Sequence, residues 1–397
     1  MPLSSPSIVD WLGGERTHAG VRVSEQRVLG IPAYYRGVSI VSGTMAGLPL
    51  KPYQRGTRTA VMQRTVLDNP NPRQTPFEFW QTMYANAVTW GNMYGRKLRD
   101  GADIVRQVWP LHPSRVRVEE VDPSSSNPEG KVFHVTARDG SVKTYSAWDI
   151  FHVPYLSIDG VAGISPLNVF RQSLGTGIAA EETAARLFGA GMRIQGVLQT
   201  EQKLNNDIAD AIKARWRQKT AGVEHTGDVV VLDKGLKFEP IMLPPQEAEL
   251  LTSRKWAVTD ISRMVGLPPF MLGDMEKTTS WGTGIEQQVL GVVKFGFKQL
   301  ADLVEQRATR ELLPGGWTSG SWFAEYSLEG LLRGDSRARA EFYRTMVMIG
   351  ALSLNEVRVL ENEEPVDGLD VYLLPKNMTV FDPATDKAGA IAAALAA

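Results

Sequence analysis

"GLPPFMLGDMEKTTSWGTGIEQQ", Gly266 to Gln288, opens on a double proline, turns polar and glycine-rich, and then enters a helical pattern. Proline lacks the backbone N–H and biases the residue before it away from the helix, so any helix arriving here must stop. A loop running from Pro268 to Gly284 is long for the inside of a compact domain, and such loops are usually functional or disordered. The reading of the chain turns on what stands on either side of it.

Before the loop, "PPQEAELLTSRKWAVTDISRMVG" predicts a helix from about Gln246 to Val265. Its apolar stripe is Leu250/Leu251, Ala257/Val258, Ile261 and Met264/Val265, and Glu247 and Glu249 favour its N-terminus through the helix dipole. After the loop a helix is expected from Ile285 to about Leu313, with Ile285, Val289, Val293, Leu300, Val304 and Leu312 on one face and a kink at Gly291 and Gly296. Upstream, "GISPLNVFRQSLGTGIAAEETAARLFGAG" reads as another helical rod, capped by Ser165, begun by Pro166 and running to about Ala190. It would be roughly 35 Å long at about 1.5 Å per residue, weakened in the middle by Gly175 and Gly177. Between the two rods, residues 192–243 read βαββ: "IQGVLQT", the helix "NNDIADAIKARWRQKT", and a hairpin of "DVVVL" and "LKFEPIML" around "DKG".

The first part of the chain is different. Residues 1–29 show little periodicity and read as an arm. A helix is expected from Pro32 to about Ala46, then a strand at "LPLKPY". Thr75, Pro76 and Glu78 form a capping-box pattern ahead of a further helix. From Gly91 to Tyr155 the period falls to two, with "NMYGRKLR" and "IVRQVWPL" flanking the turn signal "DGAD", then "RVRVEEV", "KVFHVTA" and "IFHVPY". Near the end, "WFAEYSL" can return to this β region, and two helices follow, the second with a capping box at Ser353 and Glu356. The last twenty residues are small and polar and read as a flexible end. The fold class is α+β.

The 397 residues are 43% apolar and 22% charged, a globular balance. Lysine plus arginine is 43 against 44 acids, whereas a tight DNA clamp shows a clear basic excess. The absence of cysteine removes disulfides, thiolate metal sites and cysteine nucleophiles together. The N-terminus lacks a signal-peptide pattern. No stretch of about 18 apolar residues predicts a membrane span, and the end "AGAIAAALAA" is too short for one.

None of the five histidines, His18, His112, His134, His152 and His225, has zinc-protease spacing, and His134 and His152 read as ordinary sheet residues. The nearest approach to a phosphate loop, "GVVKFGFKQL", places phenylalanine where lysine is required and sits inside a helix. "GTG" at 282–284 is too short for a dinucleotide fingerprint. Acidic pairs such as Glu181–Glu182 read as solvated helix faces. No catalytic constellation, metal site or cofactor is expected.

What remains is a layout, and its motifs in order resemble the portal proteins of tailed bacteriophages. The residues carrying the resemblance are "RGVSIVSGTMAGLPLKPY", "ANAVTWGNMYGRKLRD", "VWPLHPSRVRV", "FHVPYLSIDGVAGISPLNV", "AEETAARLFGAG", "DISRMVGLPPFMLGD", "GIEQQVLGVVKF" and "IGALSLNEVRVLENEEPVDG", together covering about residues 30–370. The resemblance is to the portals of long-tailed phages.

It implies a β-rich wing at 30–165, a helical stem at 166–191 and 244–267, a βαββ clip at 192–243, a tunnel loop at 268–284, a kinked helix and return strand of the wing at 285–333, and crown helices at 334–370, between an arm at 1–29 and a tail at 371–397. It further implies a non-enzymatic ring, usually of twelve subunits, at one vertex of the virion capsid, assembled in the host cytoplasm. The implied partners are other copies of the chain, double-stranded DNA in transit, the terminase large subunit, the head–tail connector protein and the major capsid protein. The tunnel-loop candidates for lining the channel are Asp274, Glu276, Lys277, Thr278, Thr279, Ser280 and Trp281. The clip candidates for docking are Lys213, Arg217, Lys219, Asp233 and Lys234.

A near-neutral chain suits a conduit, since every phosphate neutralised adds affinity that opposes sliding. A ring would turn even one Lys277 per subunit into a positive collar; equally, Lys277 reads as a solvated lysine offset by Glu276 and Asp274. Two other functions compete: a ring of the tail or baseplate, and a packaging-associated hydrolase with an unrecognised site.

Overall fold

Two helices interlock to make the centre of the fold. A computed structural model of the chain describes residues 17–59, 61, 64–125, 127–189, 196–199, 208–212, 214, 237–240, 258–274, 283–315, 320–327, 336–361 and 363–373. Helix α1 spans Glu25–Leu29 and α2 spans Pro32–Gly47, where proline fits the first turn because its missing N–H has no helical partner there. Strand β1 follows at Leu50–Gln54, and α3 occupies Pro76–Trp90. The expected capping box closes α3: the Thr75 hydroxyl accepts from the Glu78 amide at 3.3 Å, and the Glu78 carboxylate accepts from the Thr75 amide at 2.8 Å. Tyr34, Val38, Val41 and Met45 of α2 and Phe79, Trp80, Met83 and Tyr84 of α3 are buried at helical spacing, and the two helices pack on each other.

Eight strands of the same unit form antiparallel pairings. β2 (Asn92–Arg99) is flanked by β3 (Val105–Leu111) and β7 (Ile150–Pro154), giving the order β3-β2-β7. A second sheet, ordered β4-β5-β6, is made of Val116–Glu120, Lys131–Thr136 and Val142–Ser146. β1 pairs with β10 (Trp322–Tyr326), Leu50 opposite Tyr326, so "WFAEYSL" does return to the β region. The "DGAD" hairpin forms as expected between β2 and β3.

Several expectations need correction. Within the supposed arm, Glu25–Leu29 are helical and Val28 is fully buried; five residues are too few to show a period. β6 was not expected, because "VKTYS" is largely exposed and carries no apolar alternation. The first rod is not continuous from Pro166. A short α4 (Pro166–Val169) ends at Phe170, and α5 (Arg171–Gly189) starts afresh. Ser165 stands at the cap position of α4, but its side chain makes no capping bond. Gly175 does not interrupt α5. A Cβ there would lie 2.5 Å from Thr17 Cγ2, so the glycine permits close approach of the chain's early residues.

Of the expected βαββ unit, β8 (Gly196–Gln199) and β9 (Lys237–Pro240) pair antiparallel, and 208–212 are helical. The strand at "DVVVL" lies outside the described residues. Of the second rod, 258–265 are helical. After the loop come α6 (Thr283–Val292), a π-turn at Val293–Phe297 and α7 (Lys298–Glu311). The feature expected as a glycine kink is this π-turn, which contains Gly296. The wide turn resets the helical phase so that Val293 and Phe297 are buried together with Leu300, Ala301, Val304 and Ala308.

The chain divides into two compact units, 1–327 and 328–397. In the second, α8 (Ser336–Met348) precedes α9 (Leu354–Leu360), whose Ser353–Glu356 capping box forms as expected. Asn355 is buried and its amide bridges both backbone groups of Val366 at 2.8 Å. Among the described residues, no helix is long and apolar enough to cross a membrane.

Candidate functional site

Both ends of the Gly266–Gln288 stretch are rooted in the first unit. The helix at 258–265 ends at Gly266, which takes a left-handed conformation with φ 71°. The Leu267 amide returns to the Ser262 carbonyl at 3.0 Å, and Leu267 is buried. Val265 lies against Gly37 of α2, where the missing side chain makes room for it. Pro268 then caps a 3₁₀ turn, Pro269–Leu272, which ends at left-handed Gly273. The Asp274 amide bonds back to the Pro269 carbonyl at 3.1 Å. The two prolines thus lead not into open chain but into one more turn.

The returning side is held more firmly. Helix α7 packs on β10 and β7. From its last turn Glu311, 2% exposed at the side chain, reaches Lys97 of β2, 1% exposed, at 3.2 Å. Lys97 Nζ also donates to the Ala147 carbonyl at 3.2 Å. The other Glu311 oxygen accepts from Arg307 at 3.1 Å, and Arg307 bonds Glu129 at 3.1 Å. Burial pulls Lys97 below its ordinary value, with Glu311 opposing; burial raises Glu311, with Lys97 and Arg307 opposing. Lys97 and Glu311 are stabilised by each other, and Glu311 by Arg307 as well.

Next to this network His152 is fully buried. Its Nε2–H donates to Asn92 Oδ1 at 3.0 Å, and its ring stacks on Tyr94. Burial, then the nearby Lys131 and Arg307 charges, hold it well below the usual histidine range, so it is neutral. His134 is bonded to Glu119 at 2.9 Å and to Thr144 at 3.1 Å. Both are sheet residues, as expected. Among the described residues, no three of His, Asp and Glu gather as a metal site would require.

Of the channel candidates, Asp274 is described and stands half-buried at the start of the loop. Glu276, Lys277, Thr278, Thr279, Ser280 and Trp281 lie outside the described residues. So do the docking candidates Lys213, Arg217, Lys219, Asp233 and Lys234. The network of Lys97, Glu311, Arg307 and Glu129 was not anticipated. Lys97 sits in "NMYGRKLR", which reads as a strand with no sign that one of its charges is buried, and Glu129 is distant in sequence. The one available signal was the i,i+4 spacing of Arg307 and Glu311.

Comparison with known proteins agrees with this architecture. Residues 32–362 match the family described as phage portal protein. The chain is 31% identical over 372 residues to the portal protein of Enterobacteria phage HK97, covering 92% of this chain and 85% of that one. Its fold is similar to an HK97-family phage portal protein from Corynebacterium diphtheriae, with TM-score 0.57 and 16% identity over 79% of this chain and 98% of the other. It is likewise similar to a chain in the neck of a native gene transfer agent particle computed with C12 symmetry, with TM-score 0.56 and 18% identity over 91% and 99%. The chain belongs to the phage portal protein family.

Proposed function

We propose that this chain assembles head to tail into a ring at one vertex of the virion capsid, encircling the channel through which double-stranded DNA is packaged and ejected. In this reading the loop at 268–284 faces the channel, and Asp274, Glu276, Lys277, Thr278, Thr279, Ser280 and Trp281 meet passing DNA. The clip at 192–243 receives the terminase large subunit and later the head–tail connector protein, through Lys213, Arg217, Lys219, Asp233 and Lys234. The wing meets the major capsid protein. The chain performs no chemistry of its own and acts as conduit and platform.

The observation that carries this reading is the family match across 32–362, which takes in both flanks of the loop. Its physical support is the rooting of those flanks: Val265 against Gly37 on one side, Glu311 against Lys97 on the other. A loop fastened at both ends can vary in its middle without disturbing the body. The similar neck chain with C12 symmetry supports a ring, and twelve is the subunit number proposed. Net charge near zero favours passage over retention.

Electron microscopy of the purified protein tests the ring. Rings with a hole wide enough for duplex DNA are expected, and monomers alone across salt and protein concentration overturn the reading. Deleting 275–282 then tests the loop. Rings are expected to persist while the DNA packaged per head falls; a variant that does not fold assigns the loop a structural role instead.

A further inference from the structure

Residues 155–163, between β7 and α4, form a loop with two unusual properties. Its side chains at Leu156 and Ile158 are 65% and 87% exposed. Its backbone, however, is tied down on both sides of the tip: the Tyr155 amide bonds the Gly91 carbonyl at 2.9 Å and the Gly160 amide bonds the Ser157 hydroxyl at 2.9 Å. The Asp159 carboxylate accepts from the Ser157 hydroxyl at 2.9 Å and from the amides of Val161 and Ala162 at 2.8 and 3.2 Å. Lys131, a buried lysine, donates to the Gly160 carbonyl at 2.7 Å. The Ile164 amide returns to Leu156 at 2.7 Å, and the Asn92 side chain holds both backbone groups of Gly163. Gly91, at φ 73°, lies so close that a Cβ there would collide with the Ile164 carbonyl. A mobile loop tip can carry an apolar residue at no cost, whereas an isoleucine on a fastened tip is presented to water permanently. Such an arrangement is what a preorganised anchor requires.

A cleft of about 430 Å³ lies elsewhere on the same unit. It is lined by Val66, Ile104, Leu312 and Trp322, with Arg64 and Arg106 among its polar groups. The sheet register places loop and cleft at opposite corners. In the order β3-β2-β7 the two outer strands lie on opposite edges. β7 ends at Pro154, opposite Asn92, and the loop continues from there. β3 begins at Val105, opposite Arg99, where the cleft opens. The two ends of β2 are separated by about 24 Å at roughly 3.4 Å per residue.

We infer that the Leu156–Ile158 tip of one copy docks into the Val66–Ile104–Leu312–Trp322 cleft of the next. The inference rests on the ring reading and names the contact that would build it. A head-to-tail contact needs two different, complementary patches on separate sides of the subunit, and these corners supply them. The chemistry also matches: apolar tip to apolar lining, and the acid Asp159 beside the tip to Arg64 and Arg106, of which Arg106 already bonds Asp100 within its own chain.

The absence of cysteine makes the test clean, because any introduced thiol is unique. Ile158→Cys and Asn69→Cys, both at exposed positions, are combined in one chain and treated with a short bis-maleimide. A ladder of covalent oligomers extending to the full ring is expected, with each single variant giving dimers at most. Ile158→Asp is the second arm. Its melting temperature should match the parent, while the protein concentration needed for half-assembly rises about tenfold or more, as loss of one buried isoleucine anchor requires. Intact parental rings with no ladder, or unchanged assembly of Ile158→Asp, overturn the contact and leave the ring standing. No rings from the parent under any condition overturns the ring reading itself, and the contact with it.

Discussion

The two three-stranded sheets of the first unit are built from similar strands and held in opposite ways. In β3-β2-β7 the central strand is buried at most positions and β7 is buried nearly throughout. Helices and strands cover it, and its polar groups must find partners inside. In β4-β5-β6 the middle strand alternates, β6 is exposed, and one cluster around Tyr94, Phe133, Ala147 and Ile150 carries the packing. The pair Arg117 with Glu119 on the outer sheet, at 2.6 Å, lies in water, while Lys131 at the start of β5 is buried. The same residue types thus have different energetic consequences. A buried charge such as Lys97 of the inner sheet is a structural commitment, whereas an exposed pair such as Arg117 and Glu119 of the outer sheet is close to neutral.

The largest effect should come from breaking one half of the inner pair. Lys97→Met leaves the buried Glu311 with Arg307 alone, and Glu311→Leu leaves the buried Lys97 with only the Ala147 carbonyl; each should cost roughly 3–5 kcal/mol in urea unfolding. The double variant should recover most of that loss, since an apolar pair of similar volume replaces an ion pair at little cost. Single variants that cost no more than a surface pair would abolish the contrast between the sheets.

The buried histidine of the inner sheet sharpens the contrast at intermediate size. His152 is kept neutral in the folded chain by burial, while the unfolded chain takes up a proton near pH 6.5. Lowering the pH below that value therefore favours the unfolded state, by about 1.4 kcal/mol per pH unit for one proton, until the folded value is reached. His152→Gln, which keeps an amide N–H for Asn92, should flatten this part of the stability–pH curve. The measurement is denaturant unfolding of the parent and His152→Gln between pH 7 and 5, and equal slopes for the two would contradict the account.

The smallest effect belongs to the outer surface. Arg117→Ala removes an exposed pair and should change stability by about 0.5 kcal/mol or less, with the effect vanishing in high salt. A loss comparable to that of Lys97→Met would mean the outer sheet is not solvated as described.

Legibility in the sequence followed the range of the interactions. The capping boxes at Thr75 and Ser353 were readable because both partners lie three residues apart. The β2–β3 hairpin was readable because turn and alternation are both local. α1 and β6 escaped, the one too short for a period and the other exposed on both faces. The break at Phe170 escaped because the Ser165–Pro166 start signal was read as opening one rod and nothing in the sequence marks a second start at Arg171. For the site, the end of the incoming helix was marked by Gly266 and the two prolines that follow it. The network that fastens its returning helix joins residues 97, 129, 307 and 311, and no window of sequence contains them.

The sequence by itself determined the α+β class, the portal family through the order of its motifs, and where the chain turns from helix to loop at Gly266. Each rests on neighbours in sequence or on a pattern repeated along it. Only the tertiary structure decided that Lys97 is a buried ion and not a solvated one, and that the expected kink is a π-turn. It alone set Ile158 on a fastened tip at the corner opposite an apolar cleft. Those facts depend on desolvation and packing, which arise only when distant segments exclude water together.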